Sequence, residues 1–312
     1  MIARRARTVA GVAVAALRLL GHAASSRRLG LVVLYHRIEP QPGDPARELV
    51  PAVGAAAFAR ELRWLRRLFR VVPAAGILDA AATRRRGRRI PVAVTFDDEW
   101  PTHSTLALPA LGRAGVRATF FLTGAHLERS TPFWWEALQH LTDAGVPTEE
   151  LLGPGDLFAR AARVTAATPS ERAATSVALR ALAGPGVRCG MTADDVRAVA
   201  REHDLGFHTA RHDALTTLAP DELERALADG RPELEAVAGR PARLLAYPHG
   251  AAGPGEAAAV ARAGFALAFT THASACGPGT PPALVGRVEP GPVGLAGYLR
   301  ALEHCLRAGR PQ

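Results

Sequence analysis

Two adjacent carboxylates, Asp97 and Asp98, directly follow an apolar, β-branched run at 91–96. In a confined place they would repel each other unless a bound dication offset their charge. Adjacent side chains on an extended chain point apart, so one carboxylate could bind a metal while the other acts as a base. An exposed turn or a helix N-cap is the alternative use of such a pair.

Two histidines, His208 and His212, follow a second apolar segment that ends near Phe207. With this spacing, their imidazoles can share one face of a helix or converge from a tight loop. A pair of polar histidines on a surface helix has the same spacing. Two histidines and one carboxylate are, however, a common ligand set for zinc and iron that leaves positions open for water and substrate. Together, the two motifs predict a catalytic metal site.

Short apolar segments alternate with helical patterns over most of the chain and would position these motifs. This alternation predicts parallel strands with helices outside, and the carboxyl ends of such strands meet at one end of a barrel. Residues 131–190 interrupt the alternation with helical patterns and Gly/Pro punctuation, which indicates a helical insertion. We therefore predict one α/β barrel domain at 29–312. Its strands are expected at 31–35, 91–96, 118–122, up to 207, 244–247 and 266–271, with helices opened by Thr192 and at 220–237.

The composition is that of a folded protein, since 48% of the 312 residues are hydrophobic and 21% are charged. All 38 basic residues are arginine, and asparagine is absent as well as lysine. This bias is typical of a GC-rich genome, so the net charge of +9 is weak evidence for a nucleic-acid partner, and none is expected. Three widely separated cysteines exclude a disulfide scaffold and a zinc–thiolate site.

Residues 1–28 form a basic N-terminal segment that has more than one interpretation. Three arginines precede a mostly apolar run at 8–20, as in a secretory signal. Arg18 interrupts that run, which favours a basic amphipathic helix in peripheral contact with a membrane; an ordinary surface helix is the remaining alternative. The run is too short to span a bilayer. We expect the protein in the cytoplasm or at the inner membrane surface, with secretion as the alternative.

The chain resembles the polysaccharide deacetylases of carbohydrate esterase family 4, the NodB-homology group, from about residue 31 to residue 289. This resemblance implies a distorted (β/α) barrel and a glycan substrate. The motifs that carry it occur in the family's order, and three more segments are similar to one branch of the family. The motifs are Thr95-Phe96-Asp97-Asp98, Ala118-Thr119-Phe120-Phe121, His208-Thr209-Ala210-Arg211-His212 and Tyr247-Pro248-His249-Gly250, and the branch segments are Tyr35-His36-Arg37-Ile38, Ala268-Phe269-Thr270-Thr271 and Gly286-Arg287-Val288.

The resemblance implies that Asp98, His208 and His212 bind a divalent metal, and that Asp97 is the general base for a metal-bound water. The backbone N–H of His249 would help to hold the oxyanion. Zinc is the expected metal, and cobalt, nickel or iron suit the same donors. The expected substrate-binding residues are Tyr35, Glu99, Tyr247, His249 and Arg287.

Two departures from the family concern the aspartate pair. Glu99 replaces the usual glycine after it, which adds a carboxylate that could face substrate, support the site or crowd it. The arginine usual before the third-motif proline is absent, and Arg287 could supply the missing charge to Asp97.

A third departure concerns the general acid, because the histidine of the family's last motif has no clear counterpart. His36, His272 and His304 are the candidates. We prefer His36 because it directly follows a predicted strand, although a polar residue capping a loop would look the same.

The expected function is removal of acetyl groups, N-acetyl before O-acetyl, from a polysaccharide, an oligosaccharide or a glycan precursor. Hydrolysis of another non-peptide C–N bond on the same fold is one alternative. A carbohydrate-binding protein without turnover is another, suggested by Glu99 and the missing acid. Trp134 and Trp135 could stack on sugars, although packing within the insertion is the more common use of such neighbours. The oligomeric state stays open.

Overall fold

The computed structural model describes residues 2–125, 127, 132–184 and 190–308. For residues 2–9 it describes the backbone alone. The strands are β1 (Leu31–Tyr35), β2 (Ile38–Glu39), β3 (Val53–Gly54), β4 (Arg70–Val71), β5 (Pro91–Asp97), β6 (Thr119–Leu122), β7 (Asp204–Phe207), β8 (Leu244–Ala246) and β9 (Leu267–Phe269). The helices are α1 (Ile2–Ala24), α2 (Ala55–Leu68), α3 (Ile77–Ala82), α4 (Leu108–Ala114), α5 (Trp134–Asp143), α6 (Glu149–Leu152), α7 (Leu157–Ala166), α8 (Pro169–Ala183), α9 (Ala193–Glu202), α10 (Pro220–Ala228), α11 (Arg231–Ala238), α12 (Pro254–Arg262) and α13 (Gly294–Ala308).

A curled, parallel sheet forms the centre of the molecule, in the order β1-β5-β6-β7-β8-β9, with β4 beside the start of β5. Leu34 and Thr119 both lie opposite Thr95, which fixes the register of the two strands that flank β5. Every residue of β1 and β5 is buried, as parallel strands covered by helices require. The predicted α/β barrel class is confirmed.

An irregular segment at 285–288 joins the two outer strands of this sheet. The Val285 N–H donates to the carbonyl of Ala268 in β9 at 2.9 Å, and the Val288 N–H donates to that of Val32 in β1 at 2.8 Å. Parallel bridges accompany both contacts. We call this stretch the closing segment, because it brings β9 and β1 together around the interior.

Helices α5–α8 fill most of the predicted insertion and pack around a core of their own, which includes Trp134, Trp135 and Leu179. The start of α8 is well satisfied, since the Thr168 side chain accepts from the backbone of Glu171 in a capping box. This region is therefore helical, as the sequence predicted. The boundaries of the insertion stay a prediction, because residue 131 and residues 185–189 lie outside the described residues.

Two predicted helices near the site have different outcomes. Thr192 caps α9 as predicted, accepting from the Asp195 N–H at 3.2 Å. The single helix predicted at 220–237 is wrong, because α10 and α11 are separate. Gly230 lies between them with φ of 79°, and this left-handed conformation ends the helical path.

Helix α1 packs along α13 at the surface. Ala15 and Leu19 of α1 are buried, and the Arg27 guanidinium donates to the Leu306 carbonyl at 2.7 Å. The buried Arg84 donates to a set of carbonyls at the end of α1, those of His22, Ala23, Ser25 and Arg27. No helix of the described residues is both long enough and apolar enough to cross a membrane. Of the cysteines, Cys276 and Cys305 are buried free thiols, and Cys189 lies outside the described residues.

Candidate active site

Strand β5 places the aspartate pair at the carboxyl edge of the sheet. Asp97 is the last residue of the strand, and Asp98 follows it with φ of 62°, where the chain leaves the sheet. The two residues are only 2% and 5% exposed, and both line one cavity. The exposed-turn and helix-cap interpretations of the pair are therefore wrong.

The two histidines converge from a tight loop rather than from a helix. This loop follows β7, and Thr209 and His212 have φ of 56° and 53°. The His212 N–H donates to the Thr209 carbonyl at 3.2 Å, which closes the turn. His208 Nδ1 donates to the Ala246 carbonyl in β8 at 2.8 Å. This hydrogen bond leaves His208 Nε2 as the lone-pair nitrogen of the ring.

Asp98, His208 and His212 together fit a divalent cation. Their nearest ligand atoms all lie within 4.8 Å of one another. Asp98 Oδ1 is 3.6 Å from His208 Nε2 and 3.4 Å from His212 Nε2, and the two nitrogens are 3.1 Å apart. Asp98 Oδ1 is buried and accepts no hydrogen bond among the described residues, an unsatisfied state that a cation would relieve. One carboxylate and two imidazoles match the protein ligands of open zinc sites.

Backbone strain is concentrated around this group. Among the described residues, the non-glycine positions with left-handed φ are Asp98, Thr209, His212 and His249. Each costs about 1 kcal/mol or more, and such residues persist only where their surroundings hold them in place. Because all four belong to the loops that follow β5, β7 and β8, the rest of the fold stabilises a fixed arrangement at this edge.

Arg287 forms a two-point ion pair with Asp97, in which Nη1 and Nη2 each lie 2.6 Å from a carboxylate oxygen. Burial by itself would raise the pKa of Asp97, but the charge of Arg287 and its hydrogen bonds to the carboxylate hold this pKa below its ordinary value. Arg287 is fully buried, and its Nε donates to the Thr270 carbonyl at 3.1 Å. The closing segment thus carries the countercharge that keeps Asp97 ionised.

His36, directly after β1, lines the same cavity as the aspartates. Its Nδ1 lies 2.7 Å from Glu289 Oε1. Burial opposes protonation of His36, but Glu289, with help from Asp98 and Asp97, raises the pKa of this imidazole to about 9. Sequence reasoning missed Glu289, which lies 253 residues away and belongs to no motif.

Sequence reasoning also missed the buried His103. Its Nε2 lies 2.6 Å from the backbone carbonyl oxygen of His36, and its ring packs edge-on against Phe96 and Phe120. Burial lowers the pKa of His103 to about 4, so the ring is neutral and its contact with His36 is a hydrogen bond that holds the backbone.

The third motif lies on the wall of the cavity. The Tyr247 ring is buried and its hydroxyl donates to the Ala283 carbonyl at 2.8 Å, so this side chain supports the wall. His249 has φ of 57°, and its ring centroid lies 4.8 Å from that of His212. The motif therefore comes within contact distance of the histidine pair.

The cavity has a volume of about 660 Å³, within the range of small-molecule sites. One wall comes from the helical insertion, through Trp134, Trp135 and Thr165. The Trp135 ring packs 4.7 Å from the ring of His212, and both tryptophans are buried in the insertion core as well. The insertion thus supports a metal-ligand candidate and limits the space beside it.

The sequence model of the polysaccharide deacetylase family matches residues 84–150 and 176–268, which is just over half of the chain. The matched segments contain the aspartate pair, the histidine pair and the third motif. The chain belongs to the polysaccharide deacetylase family. Residues 151–175, which include α7 of the cavity wall, lie outside the match.

Three solved structures share this fold over 88% of the chain. The deacetylase PplD of Streptococcus pyogenes in complex with acetate superposes with a TM-score of 0.61 at 15% identity, over 88% of this chain and 97% of that one. IcaB of Ammonifex degensii superposes with a TM-score of 0.57 at 21% identity, over 88% of this chain and 96% of IcaB. BC0361, a polysaccharide deacetylase of Bacillus cereus, superposes with a TM-score of 0.58 at 15% identity, over 88% of this chain and 69% of BC0361. No curated protein sequence matches the chain.

Three predicted substrate-binding residues of this family member do not line the cavity. Tyr35 points into the core, where its hydroxyl lies 3.0 Å from both Glu61 Oε2 and the Tyr298 hydroxyl. Glu99 is buried and accepts from the Thr123 hydroxyl at 2.6 Å, so it fastens the end of β5 to the loop after β6. For these two the prediction is wrong.

Arg287, the third of these residues, is fully buried against Asp97 and does not reach the cavity as a substrate ligand. The suggestion that it supplies charge to Asp97 agrees with the contact seen. His272 and His304, the other candidates for the acid, are exposed and absent from the cavity wall.

Proposed function

We propose that this family member is a metal-dependent hydrolase that removes N-acetyl groups from a glycan. The observation that carries this is the juxtaposition of Asp98, His208 and His212 with an ionised Asp97 in one cavity. Zinc is the proposed metal, and cobalt, nickel or iron would suit the same donors. When bound, such a cation would polarise the acetyl carbonyl and lower the pKa of water.

Asp97 is the proposed general base. Its pair with Arg287 keeps the carboxylate charged at neutral pH, so it can accept a proton from an attacking water. The bidentate contact also fixes the plane of the carboxylate. His208 Nε2 lies 3.8 Å from Asp97 Oδ2, so the base borders the proposed metal ligands.

His36 is the proposed general acid. Because the pKa of this imidazole is about 9, it carries its proton at neutral pH and can donate to the leaving amine. Glu289 accepts from Nδ1, which directs Nε2 as the donating atom. The backbone N–H of His249 is proposed to stabilise the oxyanion, as N–H donors do in other acyl-transfer sites.

The test compares Asp98→Asn with the native protein for bound zinc and for acetate released from N-acetylglucosamine oligomers. We expect zinc to be lost and acetate release to fall at least about a hundredfold, because a metal contributes several kcal/mol to the barrier. Asp79→Asn, an exposed position in α3, is the matched control and should change neither.

Several outcomes would contradict the proposal. Asp98→Asn with normal zinc and turnover would remove the metal role. Native protein that binds zinc and the oligomer but releases no acetate would indicate a binding protein, and ring opening of cyclic ureides instead of acetate release would indicate another C–N hydrolase.

His36 has a separate test. His36→Ala should lower kcat about a hundredfold or more while KM and bound zinc stay unchanged, because the residue acts on the leaving group and not on the metal. A variant with normal kcat would exclude it as the acid.

A further inference from the structure

The arginines of this chain are unevenly distributed. The first 90 residues hold 18 arginines and five carboxylates, whereas the remaining 222 hold 20 arginines and 24 carboxylates. A compositional bias toward arginine would spread these residues over the whole surface. The concentration in one part of the chain requires another explanation.

Helices α1, α2 and α13 form a contiguous layer that, together with the turn at 84–89, carries most of this charge. Helix α1 meets α13 where His22 Nε2 lies 3.8 Å from Glu303 Oε1. Helix α13 meets α2 through a common partner in β1, because the Tyr35 hydroxyl contacts both the Tyr298 hydroxyl of α13 and the Glu61 carboxylate of α2. The turn at 84–89 joins the layer as well, since Arg89 donates to a carbonyl of α2 at 3.0 Å and Arg86 to one of α1 at 3.1 Å.

The solvent side of this layer, which we call the basic face, has arginines and no exposed carboxylate among the described residues. Its two acidic residues on the helices, Glu61 and Glu303, are buried. The exposed arginines of the face are Arg18, Arg27, Arg28, Arg60, Arg63, Arg66, Arg67, Arg85, Arg86, Arg88, Arg89, Arg300 and Arg307. Such a surface attracts a polyanion over its whole length.

Helix α1 adds an apolar row to the basic face. Val14, Leu17 and Leu20 are 49%, 67% and 50% exposed, at a spacing that keeps them on one side of the helix. Ala15 and Leu19 face the protein instead, so α1 is apolar on both sides. A phosphate backbone gains nothing from exposed leucine and valine, whereas a lipid surface takes up apolar side chains and anionic headgroups bind arginine.

We propose that the basic face binds the surface of a bilayer that contains anionic lipids. The arginines contact the headgroup phosphates, and Val14, Leu17 and Leu20 enter the interface between headgroups and acyl chains. This binding goes beyond the proposed reaction and does not depend on it.

The test is co-sedimentation of the full chain with phosphatidylcholine vesicles, with and without phosphatidylglycerol. We expect binding only where phosphatidylglycerol is present, weakening as salt rises. Arg18→Glu with Arg63→Glu should lower the partition coefficient more than tenfold, since each arginine near an anionic surface contributes about fivefold. Leu17→Asp should lower it about tenfold through lost apolar burial.

Matched controls separate a specific face from net charge and general stickiness. Arg201→Glu with Arg262→Glu makes the same charge change on exposed positions of α9 and α12. Val177→Asp in α8 alters a side chain that is 65% exposed, close to the 67% of Leu17. Both controls should bind vesicles like the native protein, and acetate release from soluble oligomers should be native in all four variants.

Three results would overturn the proposal. The first is an equal loss of vesicle binding in the control variants and the face variants. The second is equal binding to vesicles with and without phosphatidylglycerol. The third is no binding to vesicles together with salt-sensitive binding to a DNA duplex. The last result would assign the basic face to nucleic acid.

Discussion

At the scale of single residues, Glu289 sets the protonation of His36. An acid catalyst loses activity as pH rises through its pKa, which is about 9 here because Glu289 outweighs the burial of the imidazole. In Glu289→Gln only the weaker effects of Asp98 and Asp97 oppose burial, so we expect the basic limb of the kcat–pH profile to move to lower pH by more than about one unit. Glu233→Gln, an exposed position in α11, should keep the native profile. An unchanged basic limb in Glu289→Gln would separate Glu289 from the acid.

The buried pair of Asp97 and Arg287 makes a prediction about stability. Arg287→Met leaves a buried carboxylate without its partner, and we expect it to lower the free energy of unfolding by about 3–5 kcal/mol. Asp97→Asn should also lower the free energy of unfolding, because it leaves the buried Arg287 guanidinium without its carboxylate. The double variant should cost less than the sum of the two, because it leaves neither charge stranded. Urea denaturation of all four proteins measures this, and additive costs would contradict a direct coupling.

At the scale of elements, Glu61 of α2 couples three of them, through Tyr35 of β1 and Tyr298 of α13. Burial raises the pKa of Glu61 from 4.5 to about 7, so the folded state favours the protonated carboxyl. The resulting stability is complete below pH 4.5 and is lost as pH rises through 7. Across that pH window we expect the free energy of unfolding of the native protein to fall by about 3 kcal/mol relative to that of Glu61→Gln. Parallel unfolding curves for both proteins would contradict this coupling.

The turn between β8 and α12 requires glycine for two reasons. Gly250 has φ of 74°, and a Cβ there would lie 1.9 Å from Thr271 Oγ1. Gly239 has a similar φ of 68° but nothing within 4 Å of its Cβ position. Gly239→Ala should therefore cost about 1 kcal/mol from backbone strain alone, and Gly250→Ala clearly more, with a fall in kcat because His249 is displaced. Thermal unfolding and acetate release distinguish the two, and equal costs would show that the clash is relieved.

At the scale of the whole molecule, a bound cation would join the loops after β5 and β7, and so link metal binding to folding. A ligand that binds only the folded state adds about 2.7 kcal/mol at a hundredfold excess over its Kd. We expect zinc to raise the Tm of the native protein and chelation to lower it, with no effect on Asp98→Asn. A zinc-dependent rise in Asp98→Asn would place the ion elsewhere.

The sequence predicted most of the barrel because strands buried on both faces are continuous, mostly apolar runs, as at 31–35 and 91–96. The motif residues after such strands were found for the same reason, since their position at the carboxyl edge follows from the strands. Gly230 was missed as a break because an isolated glycine also occurs inside helices.

Side-chain direction beyond a strand end could not be predicted. Tyr35 and His36 are neighbours, yet one enters the core and the other lines the cavity. Glu99 follows the left-handed Asp98, which turns the chain, so its carboxylate reaches Thr123 rather than the cavity. These directions depend on backbone turns and on contacts distant in sequence, which no local pattern records.

The closing segment also determines when during synthesis the site is complete. Arg287 is the countercharge for Asp97, and Val285 and Val288 fasten the last strand to the first. A nascent chain therefore has both motifs outside the ribosome long before the residues that join the strand edges emerge. Until then Asp97 has no partner and the two outer strands are unconnected. We therefore expect the proposed activity to appear only once these residues have emerged, and a product that stops before residue 285 would lack both the segment that joins the outer strands and the guanidinium that pairs with Asp97.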